Sequence, residues 1–169
     1  MTEIDGVQIT GASGDRYDEV LTAESLGLLA DLHRELGPRR AELLAARAQR
    51  QQELIDGAML DFLPQTRAIR EDGSWRAASP SPGLVDRRVE ITGPTDRKMT
   101  VNALNSGANV WLADFEDANT PLWPNMVTGQ LNLADALDRK IDFTSEDGKA
   151  YRLRPDAELA TIVVRPRGW

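Results

Sequence analysis

The chain has 169 residues, a net charge of −7, 41% hydrophobic and 28% charged residues, and no cysteine. That balance describes a globular protein of one domain, or one domain with a small appendage, and weighs against binding to nucleic acid or to an anionic membrane surface. No apolar run approaches the ~18 residues of a membrane span. Met1 to Asp5 lacks the basic and apolar regions of a signal peptide, and the absence of cysteine removes disulfides and thiolate metal sites, so a cytoplasmic location is expected. The one histidine, His33, lies between Leu32 and Arg34 on an expected helix, where a surface or packing role is favoured over catalysis. Any metal would rest on oxygen ligands, which points to Mg²⁺, Mn²⁺ or Ca²⁺ rather than zinc.

In chain order, residues 1–20 are polar, Gly-rich and without period, and read as a flexible N-terminal arm. Thr22 suits a helix N-cap with Glu24 in the first turn. That helix is expected to run to about Glu35, where Gly37 ends it and Pro38 opens a second helix, roughly 38–56, closed by Gly57. The second helix offers only a narrow apolar stripe. Residues 60–88, with Pro64, Gly73, Pro80, Pro82 and Gly83, read as an irregular connection anchored by Phe62, Trp75 and Leu84. Together, residues 21–88 form a helical region and linker.

From Val89 the pattern changes. Val89 to Thr92 alternates like a strand, Asp96 to Ser106 is helix-like with Gly107 behind it, and Val110 to Phe115 is a buried strand. Strand, helix, strand at this spacing is a βαβ unit with parallel pairing. A helix from about Asn125 to Arg139 follows, then a hairpin excursion around Glu146-Asp147-Gly148, and a third apolar run from Leu159 to Val164.

Each of the three apolar runs changes character at its C-terminal end: Thr92-Gly93-Pro94, then Asp114, Glu116 and Asp117, then Arg165 and Arg167. In parallel α/β folds the strand C-termini share one face, and that face carries the site. Carboxylates from one strand and guanidinium groups from another are therefore expected at one mouth. An ion-pair network without chemistry explains the spacing about as well as a site for a small anion and a hard cation, or for a reaction that develops negative charge on oxygen.

These residues carry a resemblance. Asp86-Arg87-Arg88-Val89-Glu90-Ile91-Thr92-Gly93-Pro94, Arg97-Lys98-Met99 and Asn102-Ala103-Leu104-Asn105 resemble segments of the malate synthase family, A-type, in the N-terminal part of its chain. So do Ala113-Asp114-Phe115-Glu116-Asp117, Gly129-Gln130-Leu131-Asn132-Leu133 and Arg165-Pro166-Arg167-Gly168. The resemblance implies an α/β fold: an N-terminal helical clasp followed by the first strands and helices of a TIM (β/α)8 barrel, starting over residues 89–169 with about three barrel strands and the hairpin. It implies a transferase of the glyoxylate cycle that condenses glyoxylate with acetyl-CoA and hydrolyses the thioester to malate and CoA. In that family the arginine matching Arg165 is catalytic, stabilising the enolate oxygen of acetyl-CoA and polarising glyoxylate. The positions matching Glu116 and Asp117 line the pocket near Mg²⁺ through its waters, with Asp114 and Arg167 in support. The direct Mg²⁺ ligands, the aspartate base and most CoA contacts lie further along the family's chain.

A barrel needs ~250 residues to close, so residues 1–169 alone are expected to be inactive and poorly soluble or partly folded. Separately, a monomer is expected for the complete enzyme, on which the residues themselves are silent. Two alternatives stand beside this reading. One is a related barrel lyase acting on acyl-CoA or oxo-acid substrates; the other is a catalytically dead fragment that acts as an interaction module.

Overall fold

The computed structural model describes residues 4–168. They divide into two compact units: residues 4–7 with 23–79, and residues 8–22 with 80–168. This grouping follows neither the expected arm over 1–20 nor the boundary at 88.

The helical unit is dominated by α1, Ala23–Ile55, 33 residues long. The expected break at Gly37-Pro38 is absent, and the helix passes straight through both. Pro38 leaves the Arg34 carbonyl without its intrahelical donor. The residue before a proline is normally pushed out of the α region by its own Cβ, and a glycine at 37 removes that clash. Exposed ion pairs such as Arg39–Glu42 and Arg50–Glu53, both 2.9 Å, run along the helix. Its end matches expectation: Gly57 adopts φ 100°, its N–H donates to the Leu54 carbonyl at 3.1 Å, and Ala58 N–H donates to the Glu53 carbonyl at 2.9 Å. These are the two bonds of a Schellman cap. No residue of α1 is buried. A short helix, α2, covers Arg67–Glu71. Phe62 and Trp75 do not act as anchors, being 74% and 58% exposed, because both clusters of buried apolar side chains belong to the other unit.

The second unit holds a three-stranded parallel sheet in the order β1-β2-β5, with β1 Glu90–Gly93, β2 Val110–Asp114 and β5 Thr161–Arg165. Helix α3, Arg97–Leu104, connects β1 to β2; Asp96 caps it by accepting from Met99 N–H. Helix α4, Trp123–Leu137, follows β2 with Pro124 in its first turn. The hairpin is β3, Phe143–Thr144, against β4, Ala150–Tyr151. The βαβ unit and parallel pairing are as expected.

Alternation along the strands sorts the sheet into two faces. Trp111 and Ala113, with Ile91 and Ile162 beside them, meet Val101, Leu104, Leu133 and Ala136 of the two helices. Trp111 is fully buried, and its indole N–H has no hydrogen-bond partner among the described residues. Leu112 and Val163, of the opposite parity, belong to neither apolar cluster and are half-buried.

The reading of residues 1–20 as a loose arm does not hold for Gln8–Val20. Tyr17 is buried against Val127 and Leu131 of α4, and Arg16 reaches Asp135 of the same helix at 2.9 Å. One aromatic and one arginine supply the anchors that the polar composition concealed.

Candidate functional site

β2 and β5 run parallel in a register that sets Asp114 opposite Arg165. Both side chains leave the same face, at the C-terminal end of the sheet. Arg165 Nε donates to Asp114 Oδ1 at 2.8 Å and Nη2 to Oδ2 at 2.5 Å, a bidentate pair. Nη2 also donates to Asp117 Oδ2 at 2.7 Å, and Nη1 faces Glu116 Oε2 at 3.4 Å. The structure thus brings Asp114, Glu116, Asp117 and Arg165 together. Arg167 is exposed and makes no ion pair among the described residues, so the expected second arginine does not join the cluster.

Asp114 is the hub. Its side chain is 1% exposed. Besides Arg165 it accepts the N–H groups of Glu116, Asp117 and Ala118 at 2.9, 3.1 and 3.1 Å. The chain folds back over its own carboxylate as soon as the strand ends, which places the next two acids beside Arg165. The hydrogen-bonded Arg165 guanidinium, helped by those backbone N–H groups, holds the Asp114 carboxyl well below the usual carboxylate range, against the opposing pull of burial. Arg165 is correspondingly pushed up, first by Asp114, and stays a cation at every working pH.

The carboxylates are not equivalent as cation ligands. Both oxygens of Asp114 are committed to donors, whereas Glu116 and Asp117 each meet Arg165 through a single oxygen and are 41% and 73% exposed. Those two could face a hydrated cation; Asp114 could not without losing Arg165.

A second network, which the sequence reading missed, supports the same end of the sheet. Thr95 is fully buried. Its N–H donates to Asn119 Oδ1 at 2.9 Å, its Oγ1 accepts from Asn119 Nδ2 at 2.7 Å, and its carbonyl accepts from Asn132 Nδ2 at 2.9 Å. The β1–α3 loop, the β2–α4 loop and α4 are thereby tied together. Gly129 permits this approach, since a Cβ there would lie 2.2 Å from Thr95 Oγ1 and 2.8 Å from the Phe115 ring. A glycine in a helix interior, at about 1 kcal/mol against alanine, was the one available signal. Pro94, Thr95, Asp96, Asn119, Thr120 and Thr128 line part of a cavity of about 240 Å³ at this end.

A parallel α/β unit whose strand ends gather a guanidinium among carboxylates belongs to the class of α/β proteins with a charged strand-end site. Comparison with known proteins narrows the class. Residues 5–68 match the family described as malate synthase, N-terminal domain. The chain is 62% identical over 162 residues to a malate synthase of Streptomyces clavuligerus, covering 95% of this chain and 30% of that protein. It is 54% identical to a malate synthase of Myxococcus xanthus over 97% of this chain and 30% of that one. Against malate synthase A of Escherichia coli the identity is 42%, over 99% of this chain and 31% of that one. The chain belongs to the malate synthase family, in its N-terminal portion, and spans about 30% of the length of these relatives.

Proposed function

We propose that this sequence forms the N-terminal portion of a malate synthase that condenses glyoxylate with acetyl-CoA in the cytoplasm and releases malate and CoA. In this reading β1, β2 and β5 are the first three strands of a (β/α)8 barrel, and the helical unit is its clasp. The parity set with Leu112 and Val163 becomes the inward face, a reading supported by the packing of both α3 and α4 with Trp111 and Ala113 of the other parity.

The observation that carries the proposal is the guanidinium of Arg165, locked in plane by Asp114 at the strand end. Nε and Nη2 are occupied by Asp114 and Asp117, while among the described residues Nη1 has the long contact to Glu116 alone. Nη1 is therefore the donor that turns toward a substrate oxygen. A fixed cation there stabilises the negative charge that develops on the thioester oxygen as the methyl group of acetyl-CoA loses a proton, and it polarises the glyoxylate carbonyl. Because its partners hold it beforehand, little reorganisation accompanies the charge. Glu116 and Asp117, each with an uncommitted oxygen, would hold Mg²⁺ through its waters. Bound there, the ion supplies Lewis-acid polarisation of the oxo acid.

The test is Arg165→Lys in the full chain that carries this sequence. A point charge on a flexible stem cannot reproduce the bidentate fork, so CoA release from glyoxylate and acetyl-CoA falls by about 10²-fold or more in kcat. A variant with wild-type kcat would overturn the assignment.

A further inference from the structure

We infer that residues 8–22 form a strap that positions the carboxylate loop, residues 115–122, against Arg165. The inference rests on the functional reading above only for its activity readout.

The strap grips α4 at two places. At the first, the Trp123 indole N–H donates to the Ala12 carbonyl at 3.0 Å, and Gly11 lies so close that a Cβ would sit 2.5 Å from the ring. Tyr17 stands edge-on to Trp123, with centroids 6.5 Å apart and planes at 77°. At the second, Arg16 holds a left-handed backbone, φ 60°, a conformation that is uncommon for a non-glycine residue. From there its guanidinium donates to both oxygens of Asp135 at 3.0 and 2.9 Å and also to Glu19. Asp135, almost fully buried, accepts at 2.6 Å from Arg97, the first residue of α3. The two grips are about 18 Å apart along the helix axis.

The start of α4 needs such a grip. Its N-cap, Leu122, supplies no side-chain hydrogen bond. The residues just before it are the loop that carries Glu116 and Asp117. One end of that loop is tied to the Asp114 carboxylate through three amides, and the other to the first turn of α4, where Asn125 Nδ2 donates to the Thr120 carbonyl at 3.1 Å. Where Trp123 sits therefore bears on where Asp117 and Glu116 meet Arg165. Among the described residues, no hydrogen bond, ion pair or ring contact joins Gly11, Arg16 or Tyr17 to the site's side chains, and the three act as positioning residues.

Amide hydrogen exchange in the full chain tests this. Gly11→Ala pushes the strap off Trp123, and Tyr17→Ala empties its pocket. Both are expected to raise exchange at Glu116, Asp117 and Ala118 about tenfold, with the Val110–Asp114 amides unchanged as reference. Tyr17→Phe keeps the ring and is expected to restore wild-type exchange. In Gly11→Ala and Tyr17→Ala, but not in Tyr17→Phe, kcat for CoA release falls while KM for acetyl-CoA stays. The inference is overturned if exchange rises only within the strap and α4, or rises equally in β2. If the wild-type chain releases no CoA, the functional reading fails, and the exchange result still decides the strap.

Discussion

Asp114 and Arg165 are partners twice over: opposite one another in the β2–β5 register, and joined side chain to side chain at 2.8 and 2.5 Å. The second relation depends on the first. A one-residue slip of β5 would turn Arg165 to the helix-covered face, so the register that builds the sheet also builds the charge cluster.

Asp114→Asn retains the shape and removes the charge. Five donors converge on the carboxylate, and an amide NH₂ must face at least one of them. Arg165 is part-exposed and keeps Asp117 and Glu116, but the buried amide would set N–H against N–H, so the urea midpoint is expected to fall. An unchanged midpoint would count against the convergence of five donors on Asp114.

Acid weakens the fold from the carboxylate side. The carboxyl of Asp135 is pulled down to about 2 from 3.8, first by the hydrogen bond from Arg16 and also by that from Arg97, with burial opposing. Asp114 is held lower still. Both are depressed in the folded state, so their stabilisation is full above about pH 4 and is lost as pH falls through the folded values. For Asp135 that contribution is on the order of 2 kcal/mol. Urea midpoints at pH 5, 4, 3 and 2 should fall steadily, and Asp135→Asn should flatten the slope. An unchanged slope in that variant would count against the Arg16–Asp135–Arg97 assignment.

Gly129→Ala pits local preference against packing. Alanine favours the helix by about 1 kcal/mol, yet its methyl would lie 2.2 Å from Thr95 Oγ1. Overpacking of this kind costs about 1–3 kcal/mol, so the melting temperature is expected to fall. A rise would mean that the Thr95–Asn119–Asn132 network yields without penalty.

Gly27→Ala is expected to do the reverse. Gly27 lies inside α1 with open space where a Cβ would go, no proline after it and no positive φ. Helicity by far-UV circular dichroism should rise, with a gain of up to ~1 kcal/mol. Gly57→Ala, at φ 100°, should lose stability. The same response from both variants would exclude backbone conformation as the cause.

The sheet and its strand-end charges were legible because apolar runs mark buried strands and parallel topology gathers their C-termini. Asp114 and Arg165 could be placed together from that rule alone. The continuity of α1 was not legible: Gly37-Pro38 reads as a stop, and only the missing Cβ at 37 lets the helix accept the proline. The strap was hidden for a different reason. Tyr17 stands alone in a polar stretch, and the partner of Arg16 lies 119 residues away. Thr95, Asn119 and Asn132 have neither charge nor period, so nothing local announced that they meet.

The indole of Trp111 has a use in spectroscopy. It sits in the middle strand, fully buried and without a hydrogen bond among the described residues, whereas Trp75 is 58% exposed. An indole in a dry apolar setting emits at shorter wavelength and is shielded from soluble quenchers. The blue, shielded part of the emission, which Trp111 shares with the half-buried Trp123 of α4, is therefore an optical marker of the unit that holds the sheet, and its red shift during unfolding times the opening of that unit apart from events in the helical unit.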